Sequence, residues 1–253
     1  MLLVEREPNK GYIDVNVWLP KPAVNVAAIR AALTFTTTGD EEESISVYKE
    51  TEHHLVVPRE FWIDDGSIPF VDLRPQTYPH VELTSTIVLD MKYPNETTQR
   101  DAVAAMLRSR GGVVQIACGG GKSVVALEAI VQSKQPALIL VDSGQLLRQW
   151  RALILSMAKV PGGLGLIQGP SMEWDKAIVL GTYQSLAQKA HLLPPAARRH
   201  FRWIIWDEGH HLPAPTYSLM ADTFYGTRIL LTATPNRSDG REQIGRASCR
   251  ERV

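Results

Sequence analysis

The chain has 253 residues, 44% of them hydrophobic and 21% charged, and its 27 basic residues are balanced by 27 acidic ones. That length holds one large domain or two smaller ones around a sizeable core, and the charge balance excludes nucleic-acid binding through a bulk positive field, leaving a local groove as the only electrostatic route. Two cysteines, Cys118 and Cys249, exclude a disulfide framework. There is no basic-then-apolar leader and no apolar run near the ~18 residues a bilayer requires, so no membrane partner is expected and the expected location is cytoplasmic.

Residues 1–90 read as a small α+β module. "YIDVNVWL" (12–19) alternates as one strand, closed by Pro20 and Pro22. "AVNVAAIRAAL" (23–33) has helical spacing with Asn25 as its N-cap. An acidic connection (36–44) follows, then two short strand-like runs, "ISVYKE" and "HLVVP", and two turn-rich stretches, "IDDGSIP" and "RPQTYPH". Nothing in this module names a chemistry, although DNA binding is one role open to it.

From about residue 91 the pattern becomes strand, loop, helix, repeated. Strands are expected at 112–117, 137–141, 177–182, 203–207 and 228–234, and helices at 122–132 and 143–157. Continuous apolar strands alternating with helices predict a parallel sheet covered on both faces.

"QIACGGGKSVVALEAI" lies between the first of these strands and its helix. Gly119, Gly120 and Gly121 allow a tight turn that aims N–H groups at a phosphate, and the helix behind presents its positive end to the same anion. Lys122 would reach the β- and γ-phosphates and the Ser123 hydroxyl would hold Mg²⁺. The full G-x-x-x-x-G-K-[ST] spelling fails, because Ile116 stands where its first glycine belongs. Cys118 sits inside the loop. It is read as a small side chain fitting a crowded turn, with a thiol of lowered pKa as the alternative.

"RWIIWDEGHHLPAP" ends an apolar strand in two carboxylates, at the sheet edge where α/β proteins bind ligands. Asp207 would bind Mg²⁺ and Glu208 would orient and deprotonate an attacking water, the division of labour that phosphoryl transfer needs. His210 and His211 are adjacent, so they diverge, and no third ligand stands at metal spacing; His53 and His54 fail in the same way. His210 is read instead as a polar link to the "TAT" strand end.

These motifs, in this order, resemble the first motor domain of superfamily 2 DExH helicases. "ACGGGKS" resembles motif I, "DEGHH" motif II and "LTATP" (231–235) motif III, while "DEGHHLPAP" followed by "TATPNRSDGR" is similar to XPB-like and UvsW-like members, bacterial and phage. The resemblance covers about residues 93–242 and implies a RecA-like fold, ATP and Mg²⁺ as cofactors, and DNA, single-stranded or branched, as partner, although the motifs do not separate DNA from RNA. Gln99 matches the glutamine that reads the adenine edge, accompanied by Arg100; a helix-surface glutamine is the plain alternative. Ser143, Gln149 and Trp150 in "VDSGQLLRQW" match a motif touching the DNA backbone, yet Asp142 and Gln145 spell a capping box on an ordinary amphipathic helix. Gly181, Thr182 and Gln184 in "GTYQSL" match the next motif and would offer hydrogen bonds to phosphates. Thr232 and Thr234 would couple ATP state to strand contact, or are simply β-branched strand residues.

The resemblance also implies a second RecA-like domain that supplies arginines across the cleft. The last ten residues, "IGRASCRERV" (244–253), are unlike what precedes them and read as a sequencing adapter translated in one frame, so the native sequence is expected to run only to about residue 243. The competing reading is a basic arm built on Arg246, Arg250 and Arg252. Two functional alternatives stand beside an ATP-dependent helicase or translocase: the motor subunit of a type I or III restriction system, and a nucleic-acid-binding ATP switch without motor activity.

Overall fold

A computed structural model describes residues 6–36, 44–59, 61, 66–90, 92, 97–208 and 222–233. His210, His211, Thr234 and the whole of 244–253 lie outside the described residues.

The alternating stretch at 12–19 is two strands, β1 (Gly11–Ile13) and β2 (Asn16–Pro20), paired antiparallel with Ile13 opposite Val17. The turn forms because the Asp14 carboxylate accepts from the Asn16 amide at 2.8 Å while the Asp14 amide donates to the Asn16 carbonyl, the local side-chain bond that makes Asp a turn former. Helix α1 (Val26–Ala32) starts at Asn25, whose side chain accepts from the Ala28 amide, as its spacing predicts. Next come β3 (Thr34–Thr36), β4 (Ser44–Ser46), β5 (Lys49–Glu50), β6 (His54–Pro58) and β7 (Phe70–Asp72). The module's main sheet has the order β5-β6-β2-β1-β7. Val17, Leu19, Leu33, Leu55, Val57 and Ile68 form its core.

The larger body contains β8 (Thr84–Ser85), α2 (Gln99–Arg108), β9 (Gly112–Gln115), α3 (Lys122–Ser133), β10 (Ala137–Val141), α4 (Gly144–Met157), β11 (Ala158–Lys159), β12 (Gly165–Gln168), β13 (Ser171–Met172), β14 (Ile178–Thr182), α5 (Tyr183–Lys189), α6 (Pro195–His200), β15 (Trp203–Asp207) and β16 (Thr227–Thr232). Seven strands form one sheet in the order β13-β12-β14-β10-β15-β16-β9, parallel throughout except for the pairing of β13 with β12. The period of two along each strand divides the apolar residues between two cores. Ile139, Val141, Trp203, Ile205, Ile229 and Leu231 face α2, α3 and α4. Leu138, Leu140, Ile204, Trp206 and Leu230 face α5 and α6. This is the doubly covered parallel sheet of a RecA-like α/β fold, with a small mixed-sheet module before it. Strands β12 and β13 were not legible in "GLIQGPSM", which is short and broken by glycine and proline.

The N-terminal module is fastened to the edge of this sheet where β15 and β16 begin. Arg59 is buried and donates to the Tyr225 carbonyl at 2.7 Å and the Gly226 carbonyl at 2.6 Å. Arg228 donates to the Val15 carbonyl at 2.6 Å, and Asn16 donates to Asp222 at 2.8 Å.

Candidate nucleotide site

At the opposite edge, where the parallel strands end, β9 runs into the glycine loop. The Ile116 amide still donates to the Thr232 carbonyl, so Ile116 continues the pairing with β16. The loop therefore begins one residue later than the motif spelling requires, and no glycine is needed at 116. Gly119 and Gly121 have φ of 79° and 88°, the left-handed region that glycine enters without strain. Lys122 and Ser123 occupy the first turn of α3, with Gly121 as its N-cap.

A cavity of about 410 Å³ opens above this loop, lined among others by Gly119, Gly121, Lys122, Ser123, Gln149, Asp207 and Glu208. Strand β16 lies between β9 and β15, so the lysine and the carboxylates approach from two strands apart. The Lys122 Nζ is 2.9 Å from the Glu208 Oε1, with the two side chains 12% and 26% exposed. Alternation along β15 would turn 207 and 208 to opposite faces. Both line the same cavity because Glu208 adopts φ 52°, a left-handed backbone that costs a non-glycine residue roughly 1–2 kcal/mol and that occurs preferentially at functional sites. The Glu208 amide is held in that turn by the Leu231 carbonyl at 2.9 Å.

Asp207 points to the α3–α4 face, like Trp203 and Ile205 before it. Its Oδ2 accepts from the Trp150 indole N–H at 2.8 Å, and its backbone carbonyl accepts from the Tyr183 hydroxyl at 2.9 Å. Burial pushes the Asp207 carboxyl above the ordinary range, opposed by the Trp150 hydrogen bond, with the neighbouring Glu208 charge adding to the rise and Lys122 to the opposition. Burial also drives the Tyr183 phenol well up, aided by the charges of Asp207, Asp142 and Glu208, which keeps it a hydrogen-bond donor.

Gln99 is placed by a capping box, in which Thr98 and Asp101 each accept from the other's amide at the start of α2. Its side chain is 5% exposed and donates to the Gly120 carbonyl at 3.2 Å, so it braces the loop from behind and is no surface glutamine. Arg100 is not brought to this cavity: it donates to the Leu89 carbonyl and lines a separate groove with Val103 and Leu107. Consecutive helical residues point about 100° apart, so Gln99 and Arg100 serve different faces. Cys118 is exposed and is not among the lining residues.

Of the six residues matched to nucleic-acid motifs, Gln149 and Gln184 are exposed. Ser143 caps α4 by accepting from the Leu146 amide at 3.3 Å; the cap is Ser143, one residue beyond the expected Asp142. Thr182 likewise caps α5 on the Ser185 amide. Gly181 is buried in β14, where a Cβ would lie 3.3 Å from both the Ile167 carbonyl oxygen and a Leu140 methyl. Trp150 corrects the expectation most sharply: it is 2% exposed with its only N–H on Asp207, so its side chain does not reach a surface strand. Thr232 is fully buried at the end of β16. Tyr183 is a further residue of the site, and its signal in the sequence is a phenol just after an apolar strand, which needs a hydrogen-bond partner when buried.

Glycine loop, acidic strand end and sheet order together define an α/β fold of RecA type with a candidate nucleotide site at the strand ends. The family model described as "Type III restriction enzyme, res subunit" matches residues 92–237, more than half of the chain. The chain belongs to that family. It is 35% identical over 147 residues to the "DNA 3'-5' translocase XPB2" of Sulfurisphaera tokodaii, a match that covers 58% of this chain and 32% of the relative. It is 34% identical over 149 residues to the "DNA 3'-5' helicase XPB" of Kineococcus radiotolerans, covering 57% of this chain and 27% of the relative. The chain thus matches about a third of the length of these relatives. In fold it is similar to the crystal structure of the UvsW helicase from bacteriophage T4, with a TM-score of 0.67 at 13% identity over 96% of this chain and 99% of that one. Among the described residues no helix is long and apolar enough to cross a membrane.

Proposed function

We propose that this chain is the N-terminal module and first motor domain of an ATP-dependent DNA helicase or translocase. The observation that carries the reading is the Lys122–Glu208 contact at 2.9 Å across one cavity that Ser123 and Asp207 also line. Lys122 would release Glu208 to take the γ-phosphate, and Glu208 would then orient the attacking water and accept its proton. The backbone N–H groups of 119–123 would hold the phosphate oxygens.

A hydroxyl and a carboxylate facing one cavity are hard oxygen donors of the kind Mg²⁺ takes when phosphates supply further ligands. Ser123 and Asp207 would hold it, and the chemistry it would supply is neutralisation of phosphate charge. Gln99 is better suited to bracing the loop than to reading adenine. Exposed Gln149 and Gln184 remain the candidates for phosphate contact along a DNA strand, and Thr232 for coupling.

The relatives' names give a 3′-to-5′ direction, which we extend to this protein together with a second RecA-like domain completing the cleft. The family description also covers restriction motors; the similarity to XPB proteins favours the helicase reading. The test is titration of the 253-residue chain with a fluorescent ATP analogue and Mg²⁺. Saturable binding that is lost in Lys122→Ala is expected, and absence of binding in the unsubstituted chain overturns the reading.

A further inference from the structure

Two bonds converge on Asp207 from two helices, of which α4 also lines the cavity through Leu146, Gln149, Trp150 and Leu153. Trp150 comes from α4 and Tyr183 from the start of α5, and each is 2% exposed. The indole N–H meets the carboxylate at 2.8 Å and the phenol O–H meets the backbone carbonyl of the same residue at 2.9 Å. Each donor also has an exposed neighbour one residue away: Gln149 beside Trp150 and Gln184 beside Tyr183. Gln184 looks outward, Gln149 is exposed at the mouth of the cavity it helps to line, and in both places the next residue looks in at Asp207.

The chemistry of the contacts is directional. A carboxylate at the end of a strand rotates about its Cα–Cβ and Cβ–Cγ bonds unless something holds it. An indole N–H has no acceptor capacity and one fixed direction, so its bond to Oδ2 holds that oxygen on α4 and restricts rotation of the carboxylate. The Tyr183 bond fixes the peptide plane just before Glu208, the residue that departs into the left-handed region. The pair therefore controls both acidic side chains, one through its carboxylate and the other through its backbone.

We propose that Trp150 and Tyr183 are positioning residues that set Asp207 for the nucleotide-bound cation and make that setting sensitive to polynucleotide contact on α4 and α5. The inference rests on the ATP reading of the site. Outer partners that orient a metal-binding side chain are worth about 10–100-fold in metal affinity. A bond that joins a contact element to a ligand element also couples the two binding equilibria, reciprocally.

The test is calorimetric nucleotide binding with and without Mg²⁺, then with a DNA oligonucleotide added, on the unsubstituted chain, Trp150→Phe and Tyr183→Phe. Trp150→Phe keeps an aromatic ring in the core and removes the N–H. Its thermal unfolding transition reports that it is folded, and the ratio of its affinities with and without Mg²⁺ isolates the cation's share. The gain from Mg²⁺ should fall by about tenfold or more, and any tightening produced by the oligonucleotide should shrink towards none. Tyr183→Phe should reduce the same two factors by less, since it leaves the carboxylate bond in place. In the unsubstituted, ¹⁵N-labelled chain the Trp150 indole N–H resonance should shift when Mg²⁺ joins the nucleotide complex, a readout that needs no variant to fold.

An undiminished Mg²⁺ gain in Trp150→Phe, or an indole resonance indifferent to Mg²⁺, overturns the positioning role. An undiminished oligonucleotide effect overturns the coupling. If the unsubstituted chain gains nothing from Mg²⁺, the ATP reading itself fails and the inference falls with it.

Discussion

The two edges of the seven-stranded sheet use charge in opposite ways. Where β15 and β16 begin, cationic side chains are fixed on backbone carbonyls: Arg59 on Tyr225 and Gly226, Arg228 on Val15, Arg199 on Leu73. Where the strands end, the cation and the anions face one another across a cavity, and the helix terminus behind Lys122 has a glycine for its cap and no side-chain acceptor. A charge on a carbonyl is a structural joint, whereas a charge kept on the wall of a cavity is available to a ligand. The same fold thus carries a seam at one end and a site at the other.

The contrast breaks if the site's charges turn out to be joints. On the proposed function, Lys122→Ala is expected to lower nucleotide hydrolysis by the protein with its second domain about 10²–10³-fold, the usual effect of removing one preorganised stabiliser of transition-state charge. Its urea midpoint should move little, because among the described residues Lys122 pairs across the cavity with Glu208. A large loss of stability would show that the lysine holds the fold.

At the seam the expectation reverses. Arg59 is itself 8% exposed, and Arg59→Ala takes its donors from the Tyr225 and Gly226 carbonyls, which should cost about 2–4 kcal/mol, read from chemical denaturation. Nucleotide affinity should stay within twofold, since no seam residue lines the cavity. The same substitution at two glycines sharpens the point. Gly226→Ala would place a Cβ 2.4 Å from the Phe201 carbonyl oxygen and 2.9 Å from that of Arg202; backbone must shift, at about 1–3 kcal/mol. Gly121→Ala meets only the tip of Gln99, at 2.5 Å, but in a residue with φ of 88°, a strain of roughly 1–2 kcal/mol. Calorimetric melting should rank Gly226→Ala as the less stable, while nucleotide titration should show Gly121→Ala as the weaker binder.

The site edge was far more legible than the seam. Lys122, Asp207 and Glu208 sit at fixed offsets from strand ends, so sequence position determines where they meet. Period-two alternation likewise made the apolar strands readable, though it ran unbroken through Asp14 and concealed the hairpin there. The seam joins residues such as Arg59 and Gly226 that are distant in sequence, through a side chain on a carbonyl, and carbonyls leave no signature in residue type. Trp150 shows the same limit within the site. An amphipathic helix with a tryptophan permits a strand contact and a carboxylate contact equally, and only its burial against β15 decides between them.

A last measurement places an ordinary surface charge beside these two edges. Glu50 lies in the N-terminal module, its carboxylate on Arg30 at 2.7 Å and on Lys21 at 3.0 Å. The hydrogen bonds from Arg30, and then from Lys21, hold its pKa at about 2, against 4.5 for the free group. A lowered folded pKa contributes stability above the unfolded value and loses it as pH falls towards the folded one. The difference in stability between the unsubstituted chain and Glu50→Gln should therefore be constant above about pH 5 and shrink between pH 4.5 and pH 2. Because the pair is solvated, that difference should be smaller than any of the preceding effects and should diminish further with added salt. A Glu50→Gln effect as large as that of Arg59→Ala would mean that the module's surface is built like its seam, and the contrast between joint and site would no longer follow from burial alone.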